Sequence, residues 1–187
     1  MEQRGKVRKS APKLAEGELF EYSVRYLAQR SCSSEELKTR LRRRAAKLSD
    51  IDPVIARLKD IGYLNDRKFA ESFASLRAEN DGFGRMRVLS DLRSRRIAPG
   101  TAEKAVAEVF EGKEEAALID AYIERRMSSL RTGEPIEDPR ELAKAYRRLR
   151  RAGFTSGGVL SALKRRAARP EEIEEPLEDD EPAADPD

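Results

Sequence analysis

Apolar residues recur along this chain at helical spacing, and the pattern is written three times. Phe20, Val24 and Leu27 fall at i, i+4 and i+7, one face of a helix, and Phe69, Phe73 and Leu76 repeat that stripe 49 positions later. Another 49 positions on stand Leu118 and Tyr122, but Arg125 takes the third place. The stripe there turns toward Ile119, Ile123, Met127 and Leu130, on a helix expected to be longer than the other two. Second helices follow, with Leu37 and Leu41 answered by Val88 and Leu92 and then by Leu142 and Tyr146. Third helices begin their stripes 17 residues after the first of each pair: Val54, Ile55 and Leu58, then Ala105, Val106 and Val109, then Val159, Leu160 and Leu163.

The residues expected to start these helices keep the same register. Ser33, Gly84 and Asp138 precede the second-helix stripes by four positions, and Asp50, Thr101 and Thr155 precede the third. Nearly all of them carry an oxygen that can accept from the free N–H groups of a first turn. Ser33 with Glu36 has the form of a capping box. Length varies only between first and second helices, most in the third block, where Gly133, Pro135 and Pro139 mark a surface loop. A unit of three short helices buries little alone. The pattern therefore predicts an all-α fold of three tandem three-helix, helix-turn-helix-like repeats, over residues 18–64, 65–112 and 113–169, stacked into an elongated, curved body.

Composition narrows the choice. Of 187 residues, 39% are charged and only 6% aromatic, which suits helices with a single apolar stripe and excludes an all-β core. With no His and a single Cys, the chain lacks the commonest general base, any disulfide and any Cys-rich zinc site. No carboxylates are paired at a spacing that holds a metal, and there is no phosphate-binding loop, so neither an enzyme nor a cofactor is expected. No run approaches the roughly 18 apolar residues of a membrane span, so the expectation is a cytoplasmic protein without membrane contact.

The net charge of +3 conceals an asymmetry. Residues 170–187 hold ten acidic residues and no basic one, which leaves 38 basic against 25 acidic residues, a net +13, on residues 1–169. Such a body suits a partner rich in phosphate or carboxylate. The acidic tail is expected to be disordered, and residues 1–17 to form a flexible basic arm.

The positive charge is concentrated after the second-helix stripes, at Arg42, Arg43 and Arg44, at Arg93, Arg95 and Arg96, and at Arg147, Arg148, Arg150 and Arg151. The helix macrodipole favours a cation or two in a last turn, not ten residues of one type. Arginine in place of lysine points to bidentate bonding of phosphate or carboxylate. Lys164 and Arg165 extend this surface. The sharpest local motif is Gly62, Tyr63, Leu64, Asn65, Asp66, followed by Phe69 and Ala70. It reads as structure: Gly62 ends a helix, Asn65 or Asp66 caps the next, and Tyr63 and Leu64 pack across the turn. A sequence-specific DNA reader is the main alternative, but the third helices open on Asp50, Asp52 and Glu103, which would repel phosphate where base edges should be read.

The run Arg57 to Ala70, the basic stretch ending at Ile97, and Asp138 to Leu163 with its Gly153, Phe154 turn together resemble the RecX family, bacterial regulators of the RecA recombinase. The resemblance covers about residues 18–169. Asn65 stands where the family usually has Asp, and Ala46, Lys47 and Leu48 replace a common Gly-Phe turn. The resemblance implies tandem three-helix repeats and a monomer bound along a RecA filament on single-stranded DNA. It further implies inhibition of that filament and a weaker direct affinity for single-stranded DNA.

Overall fold

The computed structural model describes residues 13–130 and 135–173. The greater part of the expected arm (1–12), the loop residues 131–134 and the expected tail from 174 onward lie outside the described residues. The described residues form an all-α fold of nine α-helices: α1 (Glu16–Gln29), α2 (Ser34–Arg42), α3 (Ile51–Asp60), α4 (Asp66–Glu79), α5 (Arg85–Ser94), α6 (Pro99–Val109), α7 (Glu115–Arg126), α8 (Pro139–Arg151) and α9 (Ser156–Lys164). Three helices per repeat and their order agree with the apolar pattern. No helix among the described residues is long and apolar enough to cross a membrane.

Some starts obey the expected caps and others do not. The Ser33 hydroxyl accepts from Glu36 N–H at 3.1 Å while the Glu36 carboxylate accepts from Ser33 N–H at 3.0 Å, closing the capping box of α2. Asp138 caps α8 and Thr155 caps α9. Asp50 makes no capping bond, because the 3₁₀ turn Leu48–Asp50 runs straight into α3 and leaves Asp50 with helical dihedrals. Thr101 lies inside α6, which starts two residues earlier at Pro99, whose fixed φ and missing N–H suit a first helical position.

The first-helix stripes are rotated from their expected faces. Leu19 and Ser23 are the fully buried residues of α1, and Ala70, Ala74 and Ala78 the buried residues of α4, whereas Phe20, Val24, Leu27, Phe69 and Phe73 lie outside that buried set and Leu76 is 52% exposed. Small side chains at the contact let helices approach closely. The flanking rings are roofed by arginines instead: Arg57 lies 4.1 Å from the Phe20 centroid and Arg77 5.3 Å from that of Phe73. In the third repeat the expected Ile119, Ile123, Met127 and Leu130 are buried, with Tyr122 beside them, but α7 is 12 residues long against 14 for α1 and α4. A 3₁₀ turn, Ser128–Leu130, carries the stripe onward.

The described residues pack as two compact units, one of residues 13–69 with 95–97, the other of residues 70–94 with those from 98 onward. The first has its core in Leu19, Leu37, Leu41, Val54, Ile55, Leu58 and Leu64. The second is built around Ile119, Ile123, Leu149, Phe154, Val159 and Leu163. Within it the second and third repeats clasp backbone to backbone. Gly84 N–H donates to the Ala152 carbonyl at 2.7 Å and Met86 N–H to the Gly153 carbonyl at 3.1 Å. A Cβ at Gly84 would stand 2.5 Å from that Gly153 oxygen, so only glycine fits.

Two isolated parallel bridges, Leu14 with Ala45 and Ile136 with Ala167, show a kinship that the three-fold spacing hides. Each joins the residue before a helix hairpin to the residue after it, α1–α2 in one case and α8–α9 in the other. In that register Arg43, Arg44 and Ala45 correspond to Arg165, Arg166 and Ala167.

Candidate nucleic-acid and partner interface

In the first unit α2 delivers its basic end beside α1. Arg42 and Arg43 are exposed and Arg44 is half-buried. The Lys13 ammonium donates to the Arg43 carbonyl at 3.3 Å, which adds a cation to the helix end. Tyr22 and Tyr26, one turn apart on α1, face the same groove. The Arg40 guanidinium stands 4.3 Å from the Tyr26 centroid, its Nε donates to the Tyr22 hydroxyl at 2.6 Å, and Arg44 lies 5.3 Å from the Tyr22 centroid. The charge pattern singles out Arg43 and Arg44 here but not Tyr22, Tyr26, Thr39 and Arg40. The i, i+4 spacing of two tyrosines off the buried stripe was the available signal.

Arg95 and Arg96 fold into the same unit with different work. Arg95 pairs with Glu36 at 3.2 Å, its carbonyl accepts from the Ser33 hydroxyl at 2.7 Å, and its guanidinium lies 6.0 Å from the Phe69 centroid. These contacts tie it into the framework. Arg96 has φ of 60°, a left-handed conformation that costs a non-glycine residue about 1 kcal/mol or more, and its guanidinium donates to Thr39 Oγ1 at 2.6 Å.

The second unit holds the remaining candidates. Arg93 pairs with Glu103 at 3.5 Å, both exposed. Arg147, Arg151 and Lys164 are exposed on α8 and α9. Arg148 donates to the Arg126 carbonyl and Arg150 to the Phe154 carbonyl, the latter at 2.7 Å, so both brace turns. Arg165 and Arg166 share Asp120, at 3.2 and 3.0 Å. The ten arginines that look alike in sequence thus divide into exposed cations, at Arg42, Arg43, Arg147 and Arg151, and cations engaged by carboxylates, carbonyls, a hydroxyl or a ring face.

The Gly62 motif is structural in four of its parts. Gly62, at φ 78°, turns the chain so that the Leu58 carbonyl accepts from both Tyr63 N–H at 2.9 Å and Leu64 N–H at 3.1 Å. Leu64 is buried. Asn65 caps α4 through Lys68 N–H at 3.0 Å, and Asp66 accepts from Ser34 N–H at 2.7 Å, securing α2. Tyr63 departs from expectation: it is 53% exposed, because the turn that inserts Leu64 points its neighbour outward. Cys32 is buried, and burial, with Glu36 adding to it, raises its thiol to about 11, which keeps it protonated and unreactive near neutral pH. Among the described residues no group of three or more His, Cys, Asp or Glu could hold a metal ion.

Comparison with known proteins settles the family. Residues 65–106 match the family model described as the second three-helix domain of RecX. The chain is 34% identical over 142 residues to the regulatory protein RecX of Halorhodospira halophila, covering 75% of this chain and 83% of that one. This chain belongs to the RecX family. A regulatory protein RecX of Thermus thermophilus is 31% identical over 145 residues, with 78% of this chain and 89% of the relative covered. The crystal structure of RecX from Lactobacillus salivarius shares the fold at 18% identity, with a TM-score of 0.62 over 80% of this chain and 95% of that one. A second crystal structure, of a regulatory protein RecX, gives 0.66 at 17% identity over 80% of this chain and 71% of that chain. RecX is a family of regulatory proteins and not of enzymes.

Proposed function

We propose that this protein is a non-enzymatic modulator, mainly an inhibitor, of a RecA recombinase. It binds as a monomer in the cytoplasm to the RecA filament on single-stranded DNA, limits ATP hydrolysis and strand exchange, and so regulates DNA repair and the SOS response. The observation that carries this reading is membership of the RecX family, whose relatives bear the name of regulatory proteins. The exposed arginines suit it. Weak contacts at Arg42, Arg147 and Arg151, repeated along the chain, add by avidity on a partner that is itself a repeating polymer, and the same cations give a weaker direct affinity for single-stranded DNA.

The test is RecA-catalysed ATP hydrolysis on single-stranded DNA, with this protein titrated well below one molecule per RecA. Inhibition at such ratios is expected. Replacing Arg42, Arg147 and Arg151 together by Glu should raise the half-inhibitory concentration about tenfold with the helical circular dichroism unchanged, since all three lie exposed on the helix surface. No inhibition, with salt-sensitive binding to bare DNA, would make the protein a general DNA-binding repeat protein instead.

A further inference from the structure

The groove where α1 meets the end of α2 combines two kinds of group that a merely solvated surface does not need together. Tyr22 and Tyr26 present ring faces that are only partly covered, and Arg40, Arg43 and Arg44 surround them. Among the described residues the one carboxylate lining the groove, Glu36, is already engaged by Arg95 at 3.2 Å and by Ser33 N–H at 3.0 Å, so it does not cancel the cations. We propose that this groove is a stacking site for the bases of single-stranded nucleic acid, with a base laid on Tyr22 or Tyr26 and the flanking phosphates held by Arg43 and Arg44. This deepens the direct DNA contact of the preceding section and needs no recombinase.

The molecule supplies its own comparison. The α8–α9 hairpin, closed by the same kind of bridge, has Lys144 and Arg148 where α1 has Tyr22 and Tyr26, and its counterparts of Arg43 and Arg44 are bound by Asp120. The hairpin fold therefore requires neither the tyrosines nor arginines left without a carboxylate. An acidic peptide would use the guanidiniums and leave two ring faces idle. A base uses both, because every base offers a π-face to an aromatic ring while its phosphate meets a cation. Duplex DNA keeps its bases stacked inside and cannot reach the rings. Arg40, exposed and held by a cation–π contact on Tyr26 and a hydrogen bond to the Tyr22 hydroxyl, exchanges both for the entering base and its phosphate and becomes a third cation for the backbone.

The test uses the full chain and an oligodeoxythymidylate of about 12 nucleotides carrying 2-aminopurine, without RecA. Stacking on a ring is expected to quench the 2-aminopurine on binding. The same oligonucleotide with abasic sugars should bind the unaltered protein about tenfold more weakly, a comparison that involves no mutant. Tyr22→Leu with Tyr26→Leu, which keeps the half-buried apolar volume, should lose the quench and about tenfold in affinity, whereas Tyr22→Phe with Tyr26→Phe should keep both. Arg43→Gln with Arg44→Gln should reduce the slope of log affinity against log salt by about 1.4, the value for two phosphate contacts on a single strand. Equal affinity for abasic and intact oligonucleotides, or displacement of the oligonucleotide by poly-glutamate equally from the wild type and the leucine variant, would overturn the proposal.

Discussion

Gly62 and Gly153 share a left-handed backbone, at φ 78° and 91°, in opposite surroundings. Nothing lies within 4 Å of a Cβ built on Gly62, so Gly62→Ala costs only the left-handed conformation, about 1 kcal/mol. A Cβ on Gly153 would overlap the Arg87 backbone nitrogen and stand 2.5 Å from its Cβ, so Gly153→Ala should cost roughly 3 kcal/mol or more by forcing the clasp apart. Urea midpoints at equal slope measure both. Similar losses for the two would mean that the clasp contributes little. Arg96, at φ 60°, is the non-glycine counterpart among the described residues, a local cost that places its guanidinium on Thr39 beside the α1–α2 groove.

Among the helices, α2 is closely tied at its start. Ser33 is fully buried, caps its own helix and donates to the Arg95 carbonyl, so Ser33→Ala removes a cap and leaves a buried acceptor, for a loss of about 2 kcal/mol. Asp50→Ala, at a position equally plausible as a cap in sequence, should stay within about 0.5 kcal/mol because Asp50 caps nothing. Thermal or denaturant unfolding of the two variants separates them. The nine helices and their order were legible because apolar spacing at i, i+4 and i+7 survives in any packing. The face of α4 was not, since Ala70, Ala74 and Ala78 carry little apolar weight beside Phe69, Phe73 and Leu76, and only the packed structure shows that close approach favours the small residues. The same limit governs the arginines. Arg95 and Arg42 read alike until Glu36 and Ser33 are brought to one of them by a chain separation that no local pattern encodes.

On the scale of the whole chain the electrostatics are those of two opposed parts. Residues 1–169 carry a net +13, and the ten acidic residues from Pro170 onward bring the total to +3. A polyanion tethered to a basic body competes with nucleic acid at high effective concentration. Deleting residues 170–187 should therefore tighten binding to naked single-stranded DNA several-fold and make it more salt-dependent, as fluorescence anisotropy at two ionic strengths would show. Equal affinity with and without the tail would assign it to solubility alone.

The clasp of Gly84 against Ala152 and Gly153 also sets an order of events in time. Joining those positions closes a loop of about 70 residues, and the chain leaves the ribosome from its N-terminal end. The first compact unit has all its parts once Ile97 has emerged from the ribosome, whereas the start of α5 waits for Gly153 with its hydrogen-bond donors turned to water. A nascent chain halted between those two points thus presents a finished α1–α2 groove on one unit and an open seam on the other.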